Sequence, residues 1–382
     1  MVGLAARIVG GKMTPLQISL VLFGLGRVGR TLLRQILDNR AVLVQRLNLE
    51  LNVVGLADRR HMLFDPAGLD DDSLLTLVKG LDAGQRLLDF KDGQVKESNR
   101  NLLDAALSNL TSPPILIDAT FAKGMEQDLL YALDHGCRLA LSNNRPLIGP
   151  WTVSRRFFKE PNVRFEATVG AGLPATRLLR DLLEIGDRPS TIEGSLSGTV
   201  GYICSQLQLD VPFSAALAQA QELGYTEPDP REDLSGQDSA RKILVMGRLA
   251  GWPLEMRDVL VEQLCSPELA SLPAGLFMQQ ISQLDENMAR RVQVAREEGR
   301  VLRYVAEIDS GGGRVGLRAV PRASQLGVLQ GPECLLTLFT ARYTVSPLTV
   351  SGRGVGAELG AAALLSDIAH LACSTPSQSP AI

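Results

Sequence analysis

The chain has 382 residues, 45% of them hydrophobic, with 39 basic against 42 acidic side chains and a formal charge of −3. At ~100–200 residues per domain that length makes two or three domains with real cores. The near-neutral balance offers no field for a polyanion, so no nucleic-acid partner is expected. No membrane span is expected either, because apolar runs such as Ile18–Phe23 and Ala361–Leu365 fall far below the ~18–20 residues a bilayer requires.

At the N-terminus, Arg7 and Lys12 precede an apolar run that leads into a glycine-rich turn and not into a small-residue cleavage site, so no signal peptide is read there. Three histidines and five cysteines stand singly, without the pairwise spacing of a zinc site or a disulfide framework. Single cysteines fit a reducing compartment, and a cytoplasmic location is expected. Both ends, Met1–Pro15 and the Ser/Pro-rich Ser374–Ile382, are expected to fray.

In chain order, strands are expected at Ile18–Phe23, Leu51–Ala57, Ile115–Asp118, Arg138–Ser142 and Val163–Ala167, with helices at Arg27–Leu37, Asp71–Lys79, Arg100–Leu110 and Gly124–His135. Short aliphatic runs alternating with amphipathic stretches mark βαβ units and a parallel sheet. Beyond Gly170–Pro174 the texture changes. Helices at Pro174–Ile185, Pro212–Leu223 and Ser235–Ala250 mix with strands at Ile192–Ser197, Val301–Ile308, Arg314–Val320 and Leu335–Phe339. The fold class read from this is α/β, a Rossmann-type nucleotide-binding domain joined to an α+β domain on a mixed sheet. The nucleotide domain is placed at residues 1–165 plus 352–382, and the substrate and dimerisation domain at 166–351.

Phe23–Gly29 reads F-G-L-G-R-V-G and places Gly24, Gly26 and Gly29 as G-x-G-x-x-G between a strand and a helix. The first glycine permits the tight turn, the second lets a pyrophosphate reach the backbone, and the third lets helix and strand pack closely. Asp58, at the end of the second strand, is placed to reach ribose hydroxyls; the unusually long interval is assigned to a lengthened connection at Asn39–Glu50. Arg59 and Arg60 follow it. They are either a clamp for the 2′-phosphate of NADP or solvated surface arginines, and cofactor preference stays open.

The run from Leu223 to Lys242 gathers Glu227, Asp233, Asp238 and Lys242. Pro228 and Pro230 stiffen a loop that would aim Glu227 and Asp233. Ser235 reads as an N-cap with Asp238 three residues on. Asp238 and Lys242 are i and i+4 on one helix face. Gln237, Arg241 and Arg248 form another stripe, taken as the solvent face, whereas Lys242 shares its stripe with Val245, Met246 and Leu249. A lysine in apolar company loses some preference for its charged form and can exchange a proton.

From Ile18 to Leu371 the chain resembles homoserine dehydrogenases, and most of all the dehydrogenase module that follows an aspartokinase in bifunctional enzymes, here without the kinase. The likeness rests on Glu227–Lys242, Glu166–Pro174, Phe23–Gly29, Asp118–Thr120, Gly198–Ile203 and Gly352–Ile368. The resemblance implies reversible NAD(P)-dependent interconversion of L-homoserine and L-aspartate 4-semialdehyde, on the route to threonine and methionine, by a homodimer. It makes Lys242 the acid/base with Asp233 supporting the reacting end, and gives Glu227, Asp238, Gly198 and Thr199 to the substrate. Gly24, Gly26, Arg27, Val28, Gly29, Asp58, Arg59, Thr120, Arg145, Gly354 and Gly356 go to the cofactor. Glu166 and the carbonyls of Val169, Ala171 and Leu173 would enclose a sodium ion. Three positions depart from the family pattern: Arg145 stands where a lysine is usual, Val355 for an alanine and Gly360 for a threonine. The alternatives are a non-catalytic NAD(P)-binding regulatory paralogue and a dehydrogenase of another small amino-acid aldehyde.

Overall fold

A computed structural model describes residues 8–9 and 12–374. The C-terminal residues 375–382, expected to fray, lie outside the described residues, as do residues 1–7. Within the stretch expected to fray at the other end, Ile8–Val9 and Lys12–Met13 form a short antiparallel ladder.

The chain divides into two compact units. The first comprises Met1–Pro146, Glu160–Ala167 and Gly360–Ile382, and the second Leu147–Lys159 and Thr168–Leu359. The borders differ from those read in the sequence because helix Trp151–Lys159 goes with the second unit. Carbonyls of Leu147 and Gly149 and the Ser154 hydroxyl accept from the guanidinium of Arg248, and Trp151 N donates to Glu255. Residues 352–359, including Gly354 and Gly356, likewise belong to the second unit.

The main sheet of the first unit has seven strands: β1 (Leu16–Phe23), β2 (Leu49–Ala57), β3 (His61–Phe64), β4 (Gly93–Val95), β5 (Ile115–Asp118), β6 (Arg138–Leu141) and β7 (Val163–Arg164). Their order is β4-β3-β2-β1-β5-β6-β7. Five strands are parallel, and β3 and β4 add an antiparallel edge that the sequence did not reveal. Parallel strands covered on both faces need continuous apolar runs; Leu20–Phe23 and Val53–Ala57 are buried without a break. Helices α1 (Arg27–Leu47), α2 (Asp71–Asp82), α3 (Asn99–Asn109) and α4 (Glu126–Asp134) flank the sheet. The long interval before Asp58 is not a loop: α1 simply continues for 21 residues and stops at Asn48, which is left-handed. Leu32 and Ile36 of α1 share a core with Leu22, Leu51, Ile117 and with Leu364 and Ile368 of the C-terminal helix Ala357–Cys373.

The second unit is built on a six-stranded sheet of β8 (Pro189–Ser195), β9 (Val259–Val261), β10 (Arg300–Asp309), β11 (Gly312–Pro321), β12 (Glu333–Thr340) and β13 (Leu348–Arg353), in the order β9-β11-β10-β8-β12-β13. All pairs are antiparallel except β9 with β11. Helices α5 (Gly198–Leu207) and α6 (Gln237–Leu249) pack on it.

Candidate active site

In the first unit the register aligns the strand ends. Phe23 lies beside Ala57 on one side and Asp118 on the other, and Asp118 lies beside Leu141. Gly24, Asp58, Ala119 and Ser142 therefore follow one another along the carboxyl edge. The chain leaves β1 towards β2 on one side and reaches β5 on the other, so the glycine turn sits at the switch point where such sheets take ligands.

The glycines have separate physical reasons. Gly24 has φ +100°, and a Cβ there would lie 2.5 Å from Ala119 O. A Cβ on Gly29 would lie 2.0 Å from Gly24 O, so α1 can start this close to the turn only without one. Gly26 is exposed with open space around it, and it caps α1 with no side-chain hydrogen bond and no acid in the first turn. A helix N-terminus with unspent N–H groups and no competing carboxylate suits a pyrophosphate. Arg27 is exposed beside it, and Val28 is half-buried. The family's threonine position, Gly360, meets only Val28 at ordinary contact distance, so a side chain would have room there.

Asp58 shapes its own turn. Its Oδ1 accepts from Arg60 N and His61 N, both at 2.7 Å, and Oδ2 faces His61 Nδ1 at 3.0 Å. Burial pushes this carboxyl up, but those donors more than offset it and hold the group below the usual range. Four lone-pair positions minus three leave one acceptor. Arg59 and Arg60 are exposed. Thr120 donates its hydroxyl to Asp118 Oδ1 at 2.6 Å, and Arg145 N donates to Asn143 Oδ1 at 3.1 Å.

In the second unit Ser197 caps α5 by accepting from Val200 N. Gly198 follows, and a Cβ there would lie 2.1 Å from Val355 Cγ1, so the valine that replaces the family's alanine fills that space. The Thr199 hydroxyl lies 2.6 Å from Tyr225 O and 2.9 Å from Asp233 Oδ1, while Asp233 Oδ2 accepts from Glu227 N at 2.8 Å. One hydroxyl hydrogen cannot serve two acceptors at once. The Tyr225 carbonyl and the Asp233 carboxylate therefore compete for it. Burial pushes the Asp233 carboxyl up to about 6, and the Glu227 and Asp238 carboxylates add to the shift.

Asp233 is not on an irregular loop as expected, but on a short helix, Pro230–Leu234, that Asp229 caps and Pro230 begins. The cap of α6 is Gly236, left-handed at φ +71°, and not Ser235. Two residues on, Asp238 meets two cations: Lys242 Nζ at 2.7 Å and Arg241 at 3.2 Å. Lys242 also donates to Leu196 O at 2.9 Å, its side chain only 18% exposed. Two of three ammonium hydrogens are thus placed and one remains. The charged form is favoured, contrary to the expectation from apolar company: burial lowers the lysine, but the Asp238 carboxylate outweighs it and holds the group above its ordinary value. Cys334, close enough to feel this pair, is pushed up to about 11 by burial and stays a neutral thiol.

Arg248, which the helical stripe put in solvent, lies in the interior. It is 1% exposed and donates to Leu254 O, Leu147 O, Gly149 O, Ser154 Oγ and Glu255. Periodicity separates helix faces but does not say which faces another segment covers. The sequence likewise gave no signal for the Leu196 and Tyr225 carbonyls, since backbone acceptors have no residue signature.

Of the four residues assigned to sodium, Glu166 belongs to the first unit, is 6% exposed, and donates its N–H to Asp367 at 2.8 Å. Val169, Ala171 and Leu173 belong to the second, where Gly170 and Ala171 are both left-handed.

A family model described as Homoserine dehydrogenase matches residues 174–369. The chloroplastic bifunctional aspartokinase/homoserine dehydrogenase 1 of Zea mays is 36% identical over 366 residues, covering 92% of this chain and 38% of that protein. The chain thus spans well under half of that relative. Among solved structures, a Candida auris protein of unknown function matches with TM-score 0.81 and 28% identity, covering 93% of this chain and 98% of that one. A putative homoserine dehydrogenase from Archaeoglobus fulgidus matches with TM-score 0.73 and 25% identity, covering 92% and 98%.

Proposed function

Because the chain belongs to the homoserine dehydrogenase family, we propose that it interconverts L-homoserine and L-aspartate 4-semialdehyde with NAD(P), on the route to threonine and methionine. The observation that supports this most directly is Lys242: an ammonium fixed by Asp238 and Leu196 O, with one N–H unspent, on a unit that also presents Glu227 and Asp233. Carboxylates suit the ammonium end of an amino-acid substrate, and an aldehyde being reduced needs one proton donor at its oxygen.

In the reductive direction Lys242 gives its proton to the aldehyde oxygen. In the oxidative direction the same nitrogen, deprotonated, takes the hydroxyl proton. Glu227 and Asp238 hold the amino end, with Gly198 at the start of α5 and Thr199 and Asp233 supporting the reacting end. The nicotinamide, when bound, supplies or accepts the hydride. The glycine cradle fits such a cofactor: Gly24 and Gly29 have no space for a side chain, and Gly26 is open above an uncapped helix start. Gly24, Gly26, Arg27, Val28 and Gly29 would hold the phosphates, Asp58 with Arg59 the adenosine ribose, and Thr120 and Arg145 the nicotinamide half. The carbonyls of Val169, Ala171 and Leu173, on the second unit, would be hard-oxygen donors of the kind a sodium ion takes. We read the active form as a cytoplasmic homodimer.

The test is NAD(P)H formation from L-homoserine by purified protein. Homoserine-dependent reduction of either cofactor is expected. Folded protein that binds NADPH yet shows no such signal would overturn the catalytic reading in favour of a regulatory dinucleotide-binding paralogue.

A further inference from the structure

Asp118 ends β5 fully buried, and every partner it has is a neutral donor. Its Oδ1 accepts from Thr120 N at 3.0 Å and Thr120 Oγ1 at 2.6 Å, and its Oδ2 accepts from Asn143 Nδ2 at 3.0 Å. An ionised carboxylate is expensive to bury without a cation, so the arrangement calls for a reason beyond packing. Each donor belongs to a loop at the carboxyl edge. Asn143 Nδ2 also donates to Ala122 O at 2.9 Å, its Oδ1 accepts from Arg145 N at 3.1 Å, and Ala122 N donates to Thr120 Oγ1 at 3.2 Å. These bonds settle which way the Asn143 amide faces and which way the Thr120 hydroxyl points. The same loop forms the wall against which Gly24 is packed, since a Cβ on Gly24 would lie 2.9 Å from Thr120 N.

We propose that Asp118 is a positioning residue of the dinucleotide site: acting through Thr120 and Asn143, it fixes the two loops that bring Thr120 and Arg145 to the cofactor. This rests on the cofactor reading of the first unit. An asparagine in its place would turn an amide NH2 onto one of three donors, breaking one bond and leaving a buried donor unmet. Burial raises the carboxyl to about 6, so the acceptor form is populated at neutral pH.

The experiment compares full-length wild type with Asp118→Asn and Thr120→Val, measuring NADPH and NADH binding by nucleotide fluorescence alongside steady-state kinetics. Asp118→Asn is expected to weaken cofactor binding about ten- to hundredfold, raising the cofactor KM while the homoserine KM stays within about twofold. Thr120→Val removes one of the donors to Asp118 together with the acceptor of Ala122 N and is expected to weaken binding severalfold with the same KM split; it decides the matter if Asp118→Asn does not fold. Folded variants that bind NADPH as tightly as wild type would overturn the proposal, as would variants that lose only melting temperature or active fraction with both KM values unmoved. Wild type that binds neither nucleotide would overturn the dinucleotide reading itself, a separate and recognisable result.

Discussion

Lys242 Nζ lies 2.7 Å from Asp238 Oδ2, one turn earlier on the same helix. The pair keeps the lysine charged, which makes the resting protein a proton donor and not a base. Reduction of the aldehyde should therefore run at neutral pH, whereas homoserine oxidation should accelerate as the medium becomes alkaline and the ammonium loses its proton. Lys242→Ala is expected to lower kcat by about 10²–10⁴-fold with NADPH binding unchanged. Initial rates in both directions across pH 6–10 check this; equal alkaline acceleration in wild type and Lys242→Ala would remove the lysine from the proton transfer.

Asp233 gives a stability prediction with a definite sign. Its native carboxyl is raised from 3.8 to about 6, so between those values the native state holds a proton that the unfolded state has released. Its favourable contribution is complete below the unfolded value and is lost as pH rises through the native one. Asp233→Asn keeps a neutral group at all pH. The difference in melting temperature, variant minus wild type, should rise from pH 4 to pH 7, and a flat difference would contradict the assignment.

Gly236→Ala should destabilise the second unit. The position is left-handed, and a Cβ there would stand 2.0 Å from the Tyr304 hydroxyl, which donates to Glu262 O at 2.7 Å. Left-handed strain alone costs about 1–3 kcal/mol, and displacement of the tyrosine adds to it. Urea unfolding measures the loss, and homoserine KM should rise because Gly236 sets the start of the helix that presents Asp238.

Arg248→Met should cost about 3–5 kcal/mol, the scale for breaking one side of a buried ionic contact. It takes one donor from Glu255 and from each of four other acceptors. Arg248→Lys should restore only part of the stability, since one ammonium cannot span that fork. Denaturant midpoints of the three proteins decide it.

For cofactor choice, Arg59→Ala should raise the KM for NADP severalfold and leave that for NAD unchanged if the exposed guanidinium meets the 2′-phosphate. An equal change for both would place Arg59 in solvent.

What could be read in one dimension was local. Continuous apolar runs gave the parallel strands, Gly24, Gly26 and Gly29 gave the turn, and the i,i+4 spacing of Asp238 and Lys242 gave the ion pair that the helix realises at 2.7 Å. These follow from backbone geometry, which neighbouring residues alone dictate. Tertiary structure decided whatever depended on a distant segment. Arg248 is buried because residues 147–154 and 254–255 close over a helix stripe that looks polar. Lys242 stays charged because an acid and a carbonyl outweigh its apolar surroundings, Asp233 is raised by burial that no spacing reveals, and Asp118 meets the amide of Asn143, 25 residues away. Burial and electrostatic environment are sums over the folded neighbourhood, and the sequence supplies the groups without their distances.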